Sequence, residues 1–68
     1  MFNVFFAPSG HKLIIGIVNT HDEAFRIIDA FLFNHNYQSR FKNCHHPDEK
    51  TVIVDVDNYI GLFQIKEL

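Results

Sequence analysis

Cys44-His45-His46, with Asp48 two residues on, is the only cluster of metal-ligand residue types in this chain. Thiolate, imidazole and carboxylate are donors that zinc accepts. The spacing opposes that chemistry. Neighbouring side chains on one loop rarely converge on one ion, and no second pair such as CxxC completes a tetrahedral set. His11 or His21 would join only if the fold happened to bring them there. Cys44 beside two His also has the makings of a nucleophile with a base. A polar loop, however, supplies neither oxyanion donors nor a pocket. The segment from Cys44 to Lys50 therefore reads as a solvated loop with Pro47 as breaker. Cys44, His45 and His46 stay as weak metal candidates, and neither a metal nor a cofactor is expected.

Other chemistry-bearing residues have simpler readings. Asp55 and Asp57 alternate on one strand face, where two carboxylates could bind a cation or serve as acid and base. Charges beside a turn more often protect a sheet edge. His35 ends a helical segment, and its charged form would suit the negative end of the helix dipole. The three glycines, Gly10, Gly16 and Gly61, are too scattered for a phosphate-binding loop. A chain of 68 residues has little room for a substrate cavity of about 300 Å3. Catalysis is not expected.

Positioning such residues requires secondary structure, and the central segment is the clearest. Thr20 to Asn36 (THDEAFRIIDAFLFNHN) reads as one amphipathic helix. Thr20 and Glu23 match a capping box, and Asp22 and Glu23 place negative charge at the positive end of the dipole. Ala24, Ile27, Ile28, Phe31, Leu32 and His35 share one face, with Phe25 at its edge. Asn36 is suited to a left-handed residue that ends the helix.

Strands flank it. Phe2 to Ala7 alternates Phe2, Val4 and Phe6 against Asn3, Phe5 and Ala7. Pro8-Ser9-Gly10 is a turn. Leu13 to Val18 (LIIGIV) is apolar on both faces, which predicts a central strand; Gly16 predicts a bulge or a close approach of the helix. Tyr37 to Asn43 reads as a half-buried strand. Thr51 to Asp57 puts Val52, Val54 and Val56 inward. Ile60 to Lys66 puts Phe63 and Ile65 inward and leaves Leu62 on the outer face. The order ββαβββ predicts a single α+β domain over residues 1–68. Its sheet is five-stranded and mostly antiparallel, with one helix on one face.

Composition narrows function further. A domain of this length buries only about 60% of its unfolded surface. Eight Phe and two Tyr offset that small core. The net charge is −2 with neutral His, which opposes binding to phosphate backbones. Five His make the overall sign pH-sensitive near a pKa of about 6.5. A single cysteine precludes an intrachain disulfide and suits a reducing compartment. With no basic leader before Phe2 and no run of about 18 apolar residues, the chain reads as cytoplasmic, without a membrane partner.

Three segments carry a resemblance across most of the chain: Thr20-x-x-Glu23-Ala24-Phe25, His35-Asn36-Tyr37, and the hairpin from Asp55-Val56-Asp57 to Phe63-Gln64-Ile65. In them the chain resembles small orphan proteins of low-GC Gram-positive bacteria and their phages or plasmids. That group has no assigned activity to transfer. Some phage proteins of this size are stoichiometric inhibitors of host machinery, which makes an adaptor or inhibitor role the implied analogy.

The expected function is a non-catalytic protein-interaction module, a homodimer or an adaptor. Two surfaces qualify. Phe33 falls on the outer side of the helix with Arg26, Asp29 and Ala30, as an aromatic anchor beside an arginine would. The sheet face away from the helix should carry Ile53 and Leu62 with Arg40 and Lys42. Strand register decides whether Asn3 and Phe5 or Phe2, Val4 and Phe6 join them. The alternative is a small nucleic-acid-binding domain using Arg40 and Lys42 with Tyr37 and Phe41.

Overall fold

A computed structural model describes residues 1–8, 11–36, 42–56 and 61–68. Its elements are β1 (Phe2–Pro8), β2 (Leu13–Val18), α1 (His21–Asn34), β3 (Lys42–Asp48), β4 (Thr51–Val56) and β5 (Gly61–Glu67). The strands form one antiparallel sheet in the order β2-β1-β5-β4-β3, with α1 packed on β2, β1 and β5. The ββαβββ α+β fold is as expected.

The helix follows from its caps and its stripe. The Thr20 hydroxyl oxygen accepts a hydrogen bond from the Glu23 backbone N–H at 3.1 Å. The reciprocal half of the capping box differs from expectation. The Glu23 carboxylate accepts from the Thr20 hydroxyl at 3.2 Å and does not reach the Thr20 backbone N–H. Ala24, Ile28 and Leu32 are buried, and Phe25, Ile27 and Phe31 pack at the margin. At the other end Asn36 takes φ 58°, the left-handed conformation an amide side chain tolerates. The His35 ring stacks on Phe31 at 4.2 Å, with Nδ1 2.7 Å from the Phe31 carbonyl oxygen. It is therefore a capping residue on the core margin.

The core lies between this helix and one sheet face. Val4, Phe63, Ile65, Val54 and Val56 are fully or almost fully buried there. Three rings form its centre: Phe6 lies 4.7 Å from Phe31 and 5.2 Å from Phe63, and Phe31 meets Phe63 edge-on at 5.5 Å. Such pairs contribute about 0.5–1.5 kcal/mol each beyond their buried area. A Cβ at Gly61 would sit 2.6 Å from Cε1 and 2.9 Å from Cζ of the Phe6 ring. That ring is held by two others and has nowhere to go. Gly61→Ala should lower stability by about 1–3 kcal/mol, read as a lower urea midpoint at unchanged slope.

Two strand readings change. LIIGIV is an edge strand, because it pairs with β1 alone. Its second apolar face looks away from the helix, and no other described element covers it. Ile14 and Ile17 on that face remain more than half exposed, as does Leu13 at the start of the strand on the helix side. Gly16 does mark both a bulge and a close approach. The β1–β2 register shifts between Val4 and Phe5, and a side chain at position 16 would collide with Ile27 Cδ1.

The second correction concerns Cys44 to Asp48. This segment is strand, although it reads as loop. Lys42–Asp48 pairs with β4 as the opposite edge of the sheet. Pro47 is tolerated because an edge strand offers one side free of ladder bonds, and because the register shifts between His45 and Asp48. The expected strand from Tyr37 to Asn43 lies mostly outside the described residues, as do Asp57 and the turn that follows it.

The β3–β4 turn is built around Asp48. Its carboxylate accepts the Lys50 backbone N–H at 2.8 Å and the Thr51 hydroxyl at 3.3 Å. Those two bonds hold its pKa below the usual carboxylate value. A carboxylate with a lowered folded-state pKa adds stability above the unfolded pKa, near 3.9, and loses it as pH falls through the folded value. Asp48→Asn keeps an acceptor but cannot titrate. The difference in melting temperature between wild type and Asp48→Asn should therefore shrink as pH falls from about 5 towards 2.

Candidate interaction surface

Residues directly opposed in antiparallel strands share a sheet face. The registers therefore map the face opposite the helix without ambiguity. Its central row runs Ile14, Phe5, Gln64, Ile53, His45 across β2, β1, β5, β4 and β3. One flanking row is Ala7, Leu62, Asp55, Asn43; the other is Ile17, Asn3, Lys66, Thr51, Asp48. Asn3 and Phe5 thus belong to the open face, while Phe2, Val4 and Phe6 point to the helix.

This face is apolar at one side and polar at its ends. Ile14 is 55% exposed, Ile17 57% and Leu62 41%. Phe5, Ala7 and Ile53 are half-buried between them. The Lys12 ammonium sits 4.2 Å from the Phe5 ring centroid, so its stem and charge cover part of that ring. Asp55 marks one flanking row and Lys66 the other. They stand on adjacent strands, but each lies directly opposite a different residue: Leu62 for Asp55, Thr51 for Lys66.

The helix-side candidate is also exposed. Phe33 is 72% accessible, and Arg26, Asp29 and Ala30 around it are exposed as well. Among the described residues it is a single ring on a polar surface. Lys42 departs from expectation: it pairs with Val56 on the helix side of the sheet, and its ammonium bonds Asp29 of the helix at 2.8 Å. The cause is the β3 register, which reverses the face assumed for Lys42. Arg40, Tyr37 and Phe41 lie outside the described residues.

Cys44 and His45 turn to opposite faces, opposed to Val54 and Ile53 respectively. They cannot close on one ion from a regular strand. Among the described residues no group of three or more His, Cys, Asp or Glu is placed to hold a metal. Among the same residues no helix is long and apolar enough to cross a membrane.

No family model, curated protein or solved structure matches this chain. The functional reading therefore rests on the face just described. Sequence reasoning found Ile53, Leu62, Gln64 and Lys66 on the outer face of their strands but missed Ile14 and Ile17 as members of that face. The signal is present in LIIGIV, whose two apolar sides fit an edge strand with one side open as well as they fit a central strand.

Proposed function

We propose that this protein is a non-catalytic association module whose contact surface is the open sheet face. One observation carries the proposal: Ile14, Ile17 and Leu62 stay more than 40% exposed on the side of the sheet away from the helix, next to Phe5, Ala7 and Ile53. Contiguous exposed apolar surface of this kind marks a site where another molecule docks.

The Phe33 surface is the weaker of the two expected candidates, since among the described residues Phe33 has only Arg26, Asp29 and Ala30 around it on that side of the helix. The nucleic-acid alternative draws no support from Lys42, whose charge is engaged by Asp29. The two protein surfaces separate by substitution. Leu62→Lys should abolish association while Phe33→Asp leaves it intact, measured by sedimentation velocity with circular dichroism confirming the fold. The reverse pattern would assign the contact to the helix side.

A further inference from the structure

We infer that the occupant of this face is a second copy of the chain, related by a two-fold axis along the row Ile14–Phe5–Gln64–Ile53–His45. This rests on the reading of the open sheet face as the contact surface and adds the partner and its orientation. The size fits. Five strands about 4.8 Å apart and about six residues long cover roughly 24 × 20 Å, or on the order of 500 Å2 in projection. Accessible area exceeds projected area because side chains stand above the sheet. A standard contact buries about 800 Å2 of accessible area per partner, so a second copy would have to cover the face almost whole.

The polar groups are self-complementary. Gln64 is central, on the middle strand of the sheet and in the middle row. A primary amide carries a donor and an acceptor side by side, so two of them across a two-fold axis satisfy each other. Charge then selects the axis. Two facing sheets can be related by an axis along the strands or along the rows. An axis along β5 would set Lys66 on its own symmetry mate. An axis along the central row exchanges the two flanking rows, bringing Asp55 of each copy to the Lys66 side of the other and apposing Ile53 with Ile53. Packed sheets cross at about 30°, which spreads the row ends and leaves His45 at one rim and the Lys12 ammonium over Phe5 towards the other. The isologous contact closes on itself at two copies.

Charge reversal in separate copies tests this. Within one chain Asp55 and Lys66 are not opposed, so exchange inside a chain restores nothing. Light scattering should give wild type twice the chain mass of 8.0 kDa. Asp55→Lys alone and Lys66→Asp alone should each run at 8.0 kDa, and their equimolar mixture should return to twice that mass. A wild type at 8.0 kDa overturns the second copy and leaves the docking face to be filled by a different protein. A dimer indifferent to both single reversals overturns the axis. A dimer that also survives Leu62→Lys overturns the sheet-face reading itself.

Discussion

Phe63→Ala should abolish cooperative folding at 25 °C. Phe63 is fully buried and touches both other rings of the aromatic centre. Phe-to-Ala changes in cores cost about 3–5 kcal/mol through lost transfer energy and the cavity left behind. Domains have about 0.05–0.15 kcal/mol of stability per residue, so a chain of this length holds about 3–10 kcal/mol in total. The loss is therefore comparable with everything available. The neighbours cannot collapse into the gap, because Phe6 is braced against Gly61 and Phe31 is stacked on His35. Urea titration followed by circular dichroism should show a sloping baseline in place of a transition. A midpoint within about 0.5 M of wild type would mean that the three rings do not form the core; at a slope of about 1–3 kcal/mol per M, such a shift amounts to at most about 1.5 kcal/mol.

Leu62→Lys should have the opposite profile, with the fold kept and association lost. Leu62 is exposed in the isolated chain and lies directly opposite Asp55 on β4. A lysine there gains a cross-strand partner of opposite charge, a pair that contributes about 0.2–1 kcal/mol in the monomer. Covering that ammonium with an apolar surface leaves a poorly solvated charge at the contact. In the proposed two-fold arrangement it also meets Lys66 of the other copy. Desolvating like charges against each other in this way costs about 2–5 kcal/mol, or roughly 30- to 4,000-fold in dissociation constant at 1.4 kcal/mol per tenfold. Concentration-dependent sedimentation should show this loss, with an unchanged far-ultraviolet spectrum. Phe33→Asp, on the polar side of the helix, should do neither.

The parts of the fold legible in the sequence were those set by local chemistry. Thr20, Glu23 and Asn36 mark the helix ends because caps need particular side chains at particular positions. Val52, Val54, Val56, Phe63 and Ile65 announce their face because a strand alternates with period two. Strand order is not written locally. β1 pairs with β5 across most of the chain, and nothing in FNVFFAP or GLFQIKE specifies that neighbour. Two errors follow from this. LIIGIV reads as a strand of the sheet interior because both of its faces are apolar, yet a helix on one face and an open surface on the other produce the same pattern. The Cys44 to Asp48 segment looked like a loop because its residues are polar and include Pro47, which is also the composition of a protected edge strand. The candidate surface was legible only in part for the same reason. Ile53, Leu62 and Gln64 show their outward direction within their own strands, whereas Ile14 and Phe5 join them only once register is known.

The sheet face carries its own internal control. Leu13 and Ile14 are both 55% exposed and Ile17 is 57% exposed in the isolated chain, but Leu13 is opposed to Phe6 on the helix side while Ile14 and Ile17 lie on the open side. A soluble paramagnetic agent broadens methyl resonances according to their access to solvent. If the open face is an association surface, the Ile14 and Ile17 methyls should be protected relative to those of Leu13, and Leu62→Lys should remove that protection. Equal broadening of all three residues at concentrations where the protein associates would contradict the assignment.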